Sequence, residues 1–213
     1  MEGTEKRMIE ITKIPIFVEE VSVFTLPNHE YYKEKINEIV KIEENKSIHK
    51  FSTVPDKEDN VKANRSAWDS HFRYPVINEL TSDIKNVIHQ SIKQDNYDAP
   101  VLTPINAWVN WYKKDQFAEF HHHGCHVACV YFVDVEKTNA NFLFSNKDVY
   151  RLIKREGDKT VTNNRKELSA KDGTVIFFSG NTYHGVLPNY TDNLRVTFAC
   201  NFTVDYNSER KDY

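Results

Sequence analysis

The sequence predicts a mainly β fold, an antiparallel sandwich or barrel braced by helices from its N-terminal half. Three observations predict it. From Pro100 onward short strand-like runs are separated by turns, at 101–111, 126–135, 141–144, 149–153, 174–178 and 194–204. Upstream, residues 74–93 place Ile77, Leu80, Ile84, Val87, Ile88 and Ile92 on one face of a helix opened by Pro75. The final run, 194–204, alternates with period two, as a strand with two distinct faces must.

Taken in order, residues 9–25 carry branched apolar side chains at short intervals (Ile9, Ile11, Ile14, Ile16, Val18, Val21, Val23) and read as one or two strands. Residues 29–46 read as a first helix, with Ile36, Ile39, Val40 and Ile42 at mixed three- and four-residue spacing. A polar connector, 52–64, leads to the second helix and then to the strands. The charged stretch 151–171 reads as a solvated loop or hairpin. The sequence has no internal repeat, low-complexity tract or clear linker. A single domain spanning 1–213 is therefore expected, with 1–98 supplying N-terminal strands and supporting helices, 99–205 the β core, and 206–213 a tail.

Composition narrows the function classes. The 213 residues are 39% hydrophobic and 13% aromatic, a globular composition, and a net charge of -3 gives no overall footprint for nucleic acid. No apolar run reaches the length of a membrane span, and no signal peptide is visible at the charged N-terminus. Three cysteines, Cys125, Cys129 and Cys200, make an odd and sparse set. They form no disulfide framework and no paired zinc knuckle, so a reducing, cytoplasmic setting is expected.

Of nine histidines, four fall within six residues: His121, His122, His123 and His126. On a strand His121 and His123 share one face and His122 takes the other, so two imidazoles of one strand can reach one ion. Imidazole suits Fe, Zn and Cu, and non-haem iron oxygenases use three facial ligands that leave positions open. His184 is the natural third ligand, because it follows the run 174–178 and the turn Ser179-Gly180-Asn181, which could return it to the site. His122 and His126 read as bystanders. In the last strand Arg195, Thr197, Ala199 and Asn201 share one face, opposed to Val196, Phe198, Cys200 and Phe202. If the first face lines a cavity, its guanidinium needs an anion, and a dicarboxylate held by Arg195 with help from Thr197 would satisfy it.

These residues resemble the Fe(II)/2-oxoglutarate-dependent oxygenases, in particular the prolyl-4-hydroxylase-like branch and its small phage-type members. The branch pattern Tyr-x-x-Gly-Gln-Phe-x-x-x-His-x-Asp is similar in spacing to 112–123 here, Tyr-Lys-Lys-Asp-Gln-Phe-Ala-Glu-Phe-His-His-His. The closing segments are similar too: 171–178, then His184-Gly185-Val186-Leu187-Pro188, then Arg195-Val196-Thr197. Upstream, 64–69 (Asn-Arg-Ser-Ala-Trp-Asp) resembles an N-terminal segment of the phage-type members. The resemblance implies a double-stranded β-helix core (jelly roll, cupin-like). It implies Fe(II) held by His121, His184 and the residue at 123, and 2-oxoglutarate held by Tyr112, Arg195 and Thr197, with Asn141 bordering its pocket. O₂ would be the oxidant, and decarboxylation of 2-oxoglutarate to succinate would be coupled to hydroxylation of a peptidyl or small-molecule substrate.

The chain departs from the branch at one position. His123 stands where the branch has a carboxylate, so the triad becomes three histidines unless Glu119, Asp134 or another acid enters. A different alignment, His122-His123-Gly124, would give the pattern of oxygenases that bind halide beside a small residue, but it breaks the Tyr112 to His121 spacing. Two further readings stand beside the oxygenase: a three-histidine cupin-type metal oxygenase without 2-oxoglutarate, and a non-catalytic jelly roll stabilised by a metal.

Overall fold

A computed structural model of the protein describes residues 20–46, 61–94, 101–145, 155–156, 159–160 and 165–205. Strand β1 (Ser22–Thr25) is followed by helix α1 (His29–Asn45), whose Tyr32, Ile36, Ile39 and Val40 are buried. Two short strands, β2 (Val61–Lys62) and β3 (Asn64–Arg65), lead to a one-turn helix α2 (Ser70–Arg73) and the long helix α3 (Pro75–Gln94). Pro75 opens α3 while the Tyr74 carbonyl accepts its first bonds, from the Ile77 and Asn78 amides. The expected apolar face is the buried one, with Ile77, Leu80, Ile84 and Ile88 fully covered.

The β region comprises β4 (Val101–Tyr112), β5 (Phe117–His121), β6 (Val127–Asp134), β7 (Phe142–Ser145), β8 (Arg155–Glu156), β9 (Lys159–Thr160), β10 (Arg165–Leu168), β11 (Thr174–Ser179), β12 (Tyr183–Val186) and β13 (Arg195–Asp205). They form a six-stranded sheet in the order β1-β11-β6-β13-β4-β3 and a five-stranded sheet in the order β10-β7-β12-β5-β2, while β8 and β9 pair only with each other. All the ladders in these sheets are antiparallel. From β4 to β7 and again from β11 to β13, successive strands alternate between the two main sheets. That alternation makes a double-stranded β-helix, or jelly roll.

Two apolar layers hold it together. One lies between the helices and the six-stranded sheet, where Ile36, Ile77, Leu80 and Ile84 meet Val109, Trp111, Tyr131, Phe198 and Phe202. The other lies between the sheets and contains Ala118, Val130, Phe132, Phe142, Phe144, Ile176, Phe178 and Val186. Period-two alternation divides β6 between them: Cys129, Tyr131 and Val133 face the helices, while Ala128, Val130 and Phe132 face the second sheet.

The structure refines the element boundaries drawn from sequence. The first expected strand region survives as β1, and its part at 9–19 lies outside the described residues, as do most of the 52–64 connector and the expected strand at 149–153. Within the charged stretch 151–171, β8 and β9 pair as a hairpin would, and β10 joins the second sheet as an edge beside β7. Helix α2 and strands β2 and β3 were not anticipated, because each is too short to carry a periodicity.

Phe198 is fully buried between helices and sheet, whereas Phe72 on α2 is 81% exposed. Phe198→Ala is expected to lower unfolding free energy by about 3–5 kcal/mol, and Phe72→Ala to stay within about 0.5 kcal/mol of the parent. Urea unfolding of both variants checks the contrast.

Candidate metal and co-substrate site

Between the two sheets lies a cavity of about 580 Å³ whose wall includes three rungs of the β4–β13 ladder and Tyr112 from a fourth. Arg195 is registered opposite Tyr112, Thr197 opposite Asn110, Ala199 opposite Trp108, and Asn201 opposite Asn106. The expected parity of the last strand therefore holds: its polar face looks into the jelly roll and its apolar face packs on the helices.

Across the cavity, β5 and β12 pair so that His121 sits directly opposite His184. His123 lies two residues beyond His121, just past the end of β5, on the same side. Gly124 then turns the chain with φ 62°, a left-handed conformation that glycine adopts without strain. The ring centroids are 4.5 Å apart for His121 and His184, 4.8 Å for His123 and His184, and 5.2 Å for His121 and His123. One ring nitrogen of each lies within 4.8 Å of the others. Among the described residues this is the one cluster of three or more metal-ligating side chains, and no acid joins it. Glu119 is exposed on β5, and Asp134 faces Lys33 of α1 at 3.2 Å.

Each of the three rings has its Nδ1 engaged. His121 Nδ1 donates to the Glu119 carbonyl (2.7 Å), His184 Nδ1 to the Thr182 carbonyl (2.9 Å), and His123 Nδ1 bonds Asn201 Oδ1 (2.8 Å). Nε2 is thus the nitrogen each ring has left for an ion. Burial holds all three below the ordinary histidine pKa, that of His123 at about 4, so the rings are neutral at pH 7 and able to ligate. Phe142 stacks on His184 with an interplanar angle of 14°, and Phe178 meets the same ring edge-on. A rigid apolar seat therefore backs the histidine least exposed to solvent, at 3%.

The other end of the site is cationic. Arg195 is 2% exposed, and its Nε and Nη2 have no hydrogen-bond partner among the described residues. Burial draws its pKa down to about 10, which still leaves it protonated at neutral pH. Burial also pushes the Tyr112 phenol up to about 12, so it remains a neutral hydroxyl beside the guanidinium. A buried guanidinium with free N–H groups, next to a hydroxyl and Thr197, is suited to one end of a carboxylate ligand, and an unpaired charge there would be costly without one.

Alternation turns Phe142 inward and leaves Asn141 off the main cavity, where its Nδ2 donates to Glu167 Oε1. It borders a smaller cavity of about 240 Å³ whose lining includes Arg195. His122 is exposed, packs against the ring of Tyr183 and lies outside the triad, so the alignment that would make it a ligand gains no support. His126 Nδ1 accepts a bond from the Val204 amide and does not face the cluster.

Sequence reasoning passed over several lining residues. Asn201 was placed on the Arg195 face without a role, although that placement was the signal. Trp108, Asn110 and Asn106 follow once β4 is paired with β13. The outer wall formed by Arg65 and Trp68 had no such signal: the guanidinium lies 3.7 Å over the Trp68 ring, and Trp68 meets Trp108 edge-on at 4.4 Å.

Residues 106–201 match the family described as "Putative 2OG-Fe(II) oxygenase". Through this segment, which is less than half of the chain, it is similar to the 2OG-Fe(II) oxygenases. The match supports an oxidoreductase that uses Fe(II), 2-oxoglutarate and O₂, and it spans β4 to β13, the segment that carries the histidines and Arg195. Solved structures share the fold at low identity. A prolyl-4-hydroxylase from Pseudomonas putida aligns with a TM-score of 0.60 at 12% identity, over 87% of this chain and 92% of that one. A Trichoplax adhaerens prolyl hydroxylase, in complex with a hypoxia-inducible-factor peptide, gives 0.62 at 10% identity over 86% and 83%. HygX from Streptomyces hygroscopicus, with nickel, 2-oxoglutarate and hygromycin B bound, gives 0.59 at 12% identity over 87% and 83%. No curated protein matches the chain.

The segment bearing His123 is clamped by Gly180, whose carbonyl accepts from the His123 amide (2.9 Å) and whose amide donates to the His126 carbonyl (3.2 Å). A Cβ at Gly180 would fall 2.2 Å from the Cys125 carbonyl oxygen. Gly180→Ala must therefore push the 121–126 segment outward, and a Co(II) titration is expected to show at least ~10-fold weaker binding than the parent.

Proposed function

We propose that this oxygenase is a hydroxylase in which His121, His123 and His184 hold Fe(II) through Nε2, and Arg195, with Thr197 and Tyr112, binds the distal carboxylate of 2-oxoglutarate. The observation that carries the reading is the buried Arg195 guanidinium, unpartnered at Nε and Nη2 in the same jelly-roll interior as the three neutral imidazoles. When bound, the iron and 2-oxoglutarate supply the oxidising chemistry. The chain's own residues fix geometry and exclude water. Arg195 orients the co-substrate by paired N–H groups, and the neutral Tyr112 hydroxyl can donate beside it. The apolar seat of Phe142, Phe178, Val130 and Val186 keeps bulk water from the reacting centre. No protein acid or base is needed near the substrate, in keeping with a histidine cluster that no carboxylate joins.

In this reading the substrate enters past Trp68 and Ile105, the large apolar lining residues that are exposed to solvent. A peptidyl or small-molecule substrate fits this reading, and a peptidyl proline is supported by the resemblance of the 112–123 segment to the prolyl-4-hydroxylase-like branch. A reducing, cytoplasmic setting belongs to the same reading, supported by three buried cysteines that all remain free thiols.

Mixing the apoprotein anaerobically with Fe(II) and 2-oxoglutarate is expected to give a metal-to-ligand charge-transfer band, and admission of O₂ to yield succinate. In Arg195→Ala the loss of a buried charge partner should weaken 2-oxoglutarate binding by about 2–5 kcal/mol, at least ~30-fold. Tight metal binding with no band in the parent would sink the 2-oxoglutarate assignment and leave a three-histidine oxygenase of another type, or a structural metal.

A further inference from the structure

Resting on the reading that His121, His123 and His184 ligate the metal, we infer that Asn201 makes His123 competent to do so. By accepting a hydrogen bond from His123 Nδ1–H, it holds the ring in the tautomer whose Nε2 lone pair faces the other two imidazoles. A neutral imidazole has one N–H and one lone pair, and its surroundings decide which nitrogen carries which. For His121 and His184 the backbone decides, because the carbonyls of Glu119 and Thr182 can only accept and so require Nδ1–H. His123 has no such carbonyl. Its Nδ1 lies 2.8 Å from Oδ1 of Asn201, 78 residues further along the chain.

A carboxamide offers an acceptor on one side and a donor on the other. With Oδ1 turned to the ring, the proton sits on Nδ1 and Nε2 is open. With Nδ2 turned to it, Nδ1 would have to accept, the proton would move to Nε2, and the ring would present an N–H to the metal position. Asn201 is held in place: it is 5% exposed, sits on the inner face of β13, and is registered against Asn106 of β4 and Ala128 of β6. Of the three contacts that orient the rings, this is the one made by a side chain. Asn201 is therefore a positioning residue for the ligand that replaces the expected carboxylate, and substitution can remove its contact without altering the backbone that orients the other two rings.

The test uses the full chain as apoprotein, Co(II) as the probe, and long-range ¹⁵N–¹H spectra of the histidine rings. In the parent, His123 should appear as the Nδ1–H form. Asn201→Leu, of similar size but with no acceptor, should admit the Nε2–H form and weaken Co(II) binding roughly 10- to 100-fold. Asn201→Asp keeps an acceptor and should retain or exceed parental affinity. A parental His123 found as Nε2–H overturns the inference even if Asn201→Leu fails to fold. So does a folded Asn201→Leu with parental affinity, or an Asn201→Asp variant as weak as Asn201→Leu, which would reduce Asn201 to packing. His123→Ala separates the two levels. If it binds Co(II) like the parent, the ligand reading fails and this inference with it. If it loses Co(II) while Asn201→Leu does not, this inference alone fails.

Discussion

The placement of β13 between β4 and β6 is the constraint on which both the core and the site depend. All eleven of its residues lie along β4 and those from Val196 to Phe202 are also paired with β6, and alternation sends Val196, Phe198, Cys200 and Phe202 to the helices and Arg195, Thr197, Ala199 and Asn201 to the interior. A slip of one residue would exchange the two sets, burying a guanidinium against α3 and turning two phenylalanines into the cavity. The apolar face therefore fixes the register, and the register delivers the polar face. Burial against the helices thus places Arg195 opposite Tyr112 and Thr197 opposite Asn110 without any stabilising contribution from the site itself.

The second sheet carries the metal-binding side chains under a different constraint. His121 and His184 are cross-strand partners, so their separation is set by sheet geometry, while His123 lies past the strand end and depends on the turn at Gly124 and the close approach of Gly180. Each ring is then oriented through Nδ1 and desolvated by its surroundings, which keeps it neutral and ready to ligate. A ligand set assembled this way is preorganised: its cost is met when the sheets pack, and binding an ion need not order it. The price falls on Arg195, a buried cation left without an anion until a ligand arrives.

How legible these features were in the sequence follows from the distance over which each is determined. The faces of β13, the common side of His121 and His123, and the buried stripe of α3 are local periodicities, and all three could be read from one segment. His184 could be read because its position relative to the strand before it and to Arg195 fits a returning strand. β12 itself was hidden, since its four residues, Tyr-His-Gly-Val, show no clean alternation and Gly185 is there for close approach to the Ala118 carbonyl. Where Asn141 sits follows from the register of the adjoining β7, which is set by pairing with β10 and β12 and which no local pattern encodes. The role of Asn201 and the stacking of Arg65 on Trp68 depend on contacts between distant segments, and only the folded sheets bring them together.

The histidine at 123 is best understood together with the residue it meets. A carboxylate at that position would be acceptor-only, would need no particular tautomer and would subtract one charge from the ion it held. An imidazole needs an acceptor behind it, which Asn201 provides, and leaves the ion's charge undiminished. In the proposed site the full charge of Fe(II) would stand in the same jelly-roll interior as the Arg195 guanidinium, with no acid in the histidine cluster to offset either. Such an interior should favour a dianion more strongly than a site with a carboxylate ligand would, because both of its cationic ends lose the competition of an internal negative charge. Metal retention should be correspondingly weaker in the absence of the dianion, for the ion has only neutral dipoles to replace its hydration shell. The two effects have opposite signs on the two ligands, so metal and co-substrate become more strongly coupled to each other: each is held in large part by the charge of its partner.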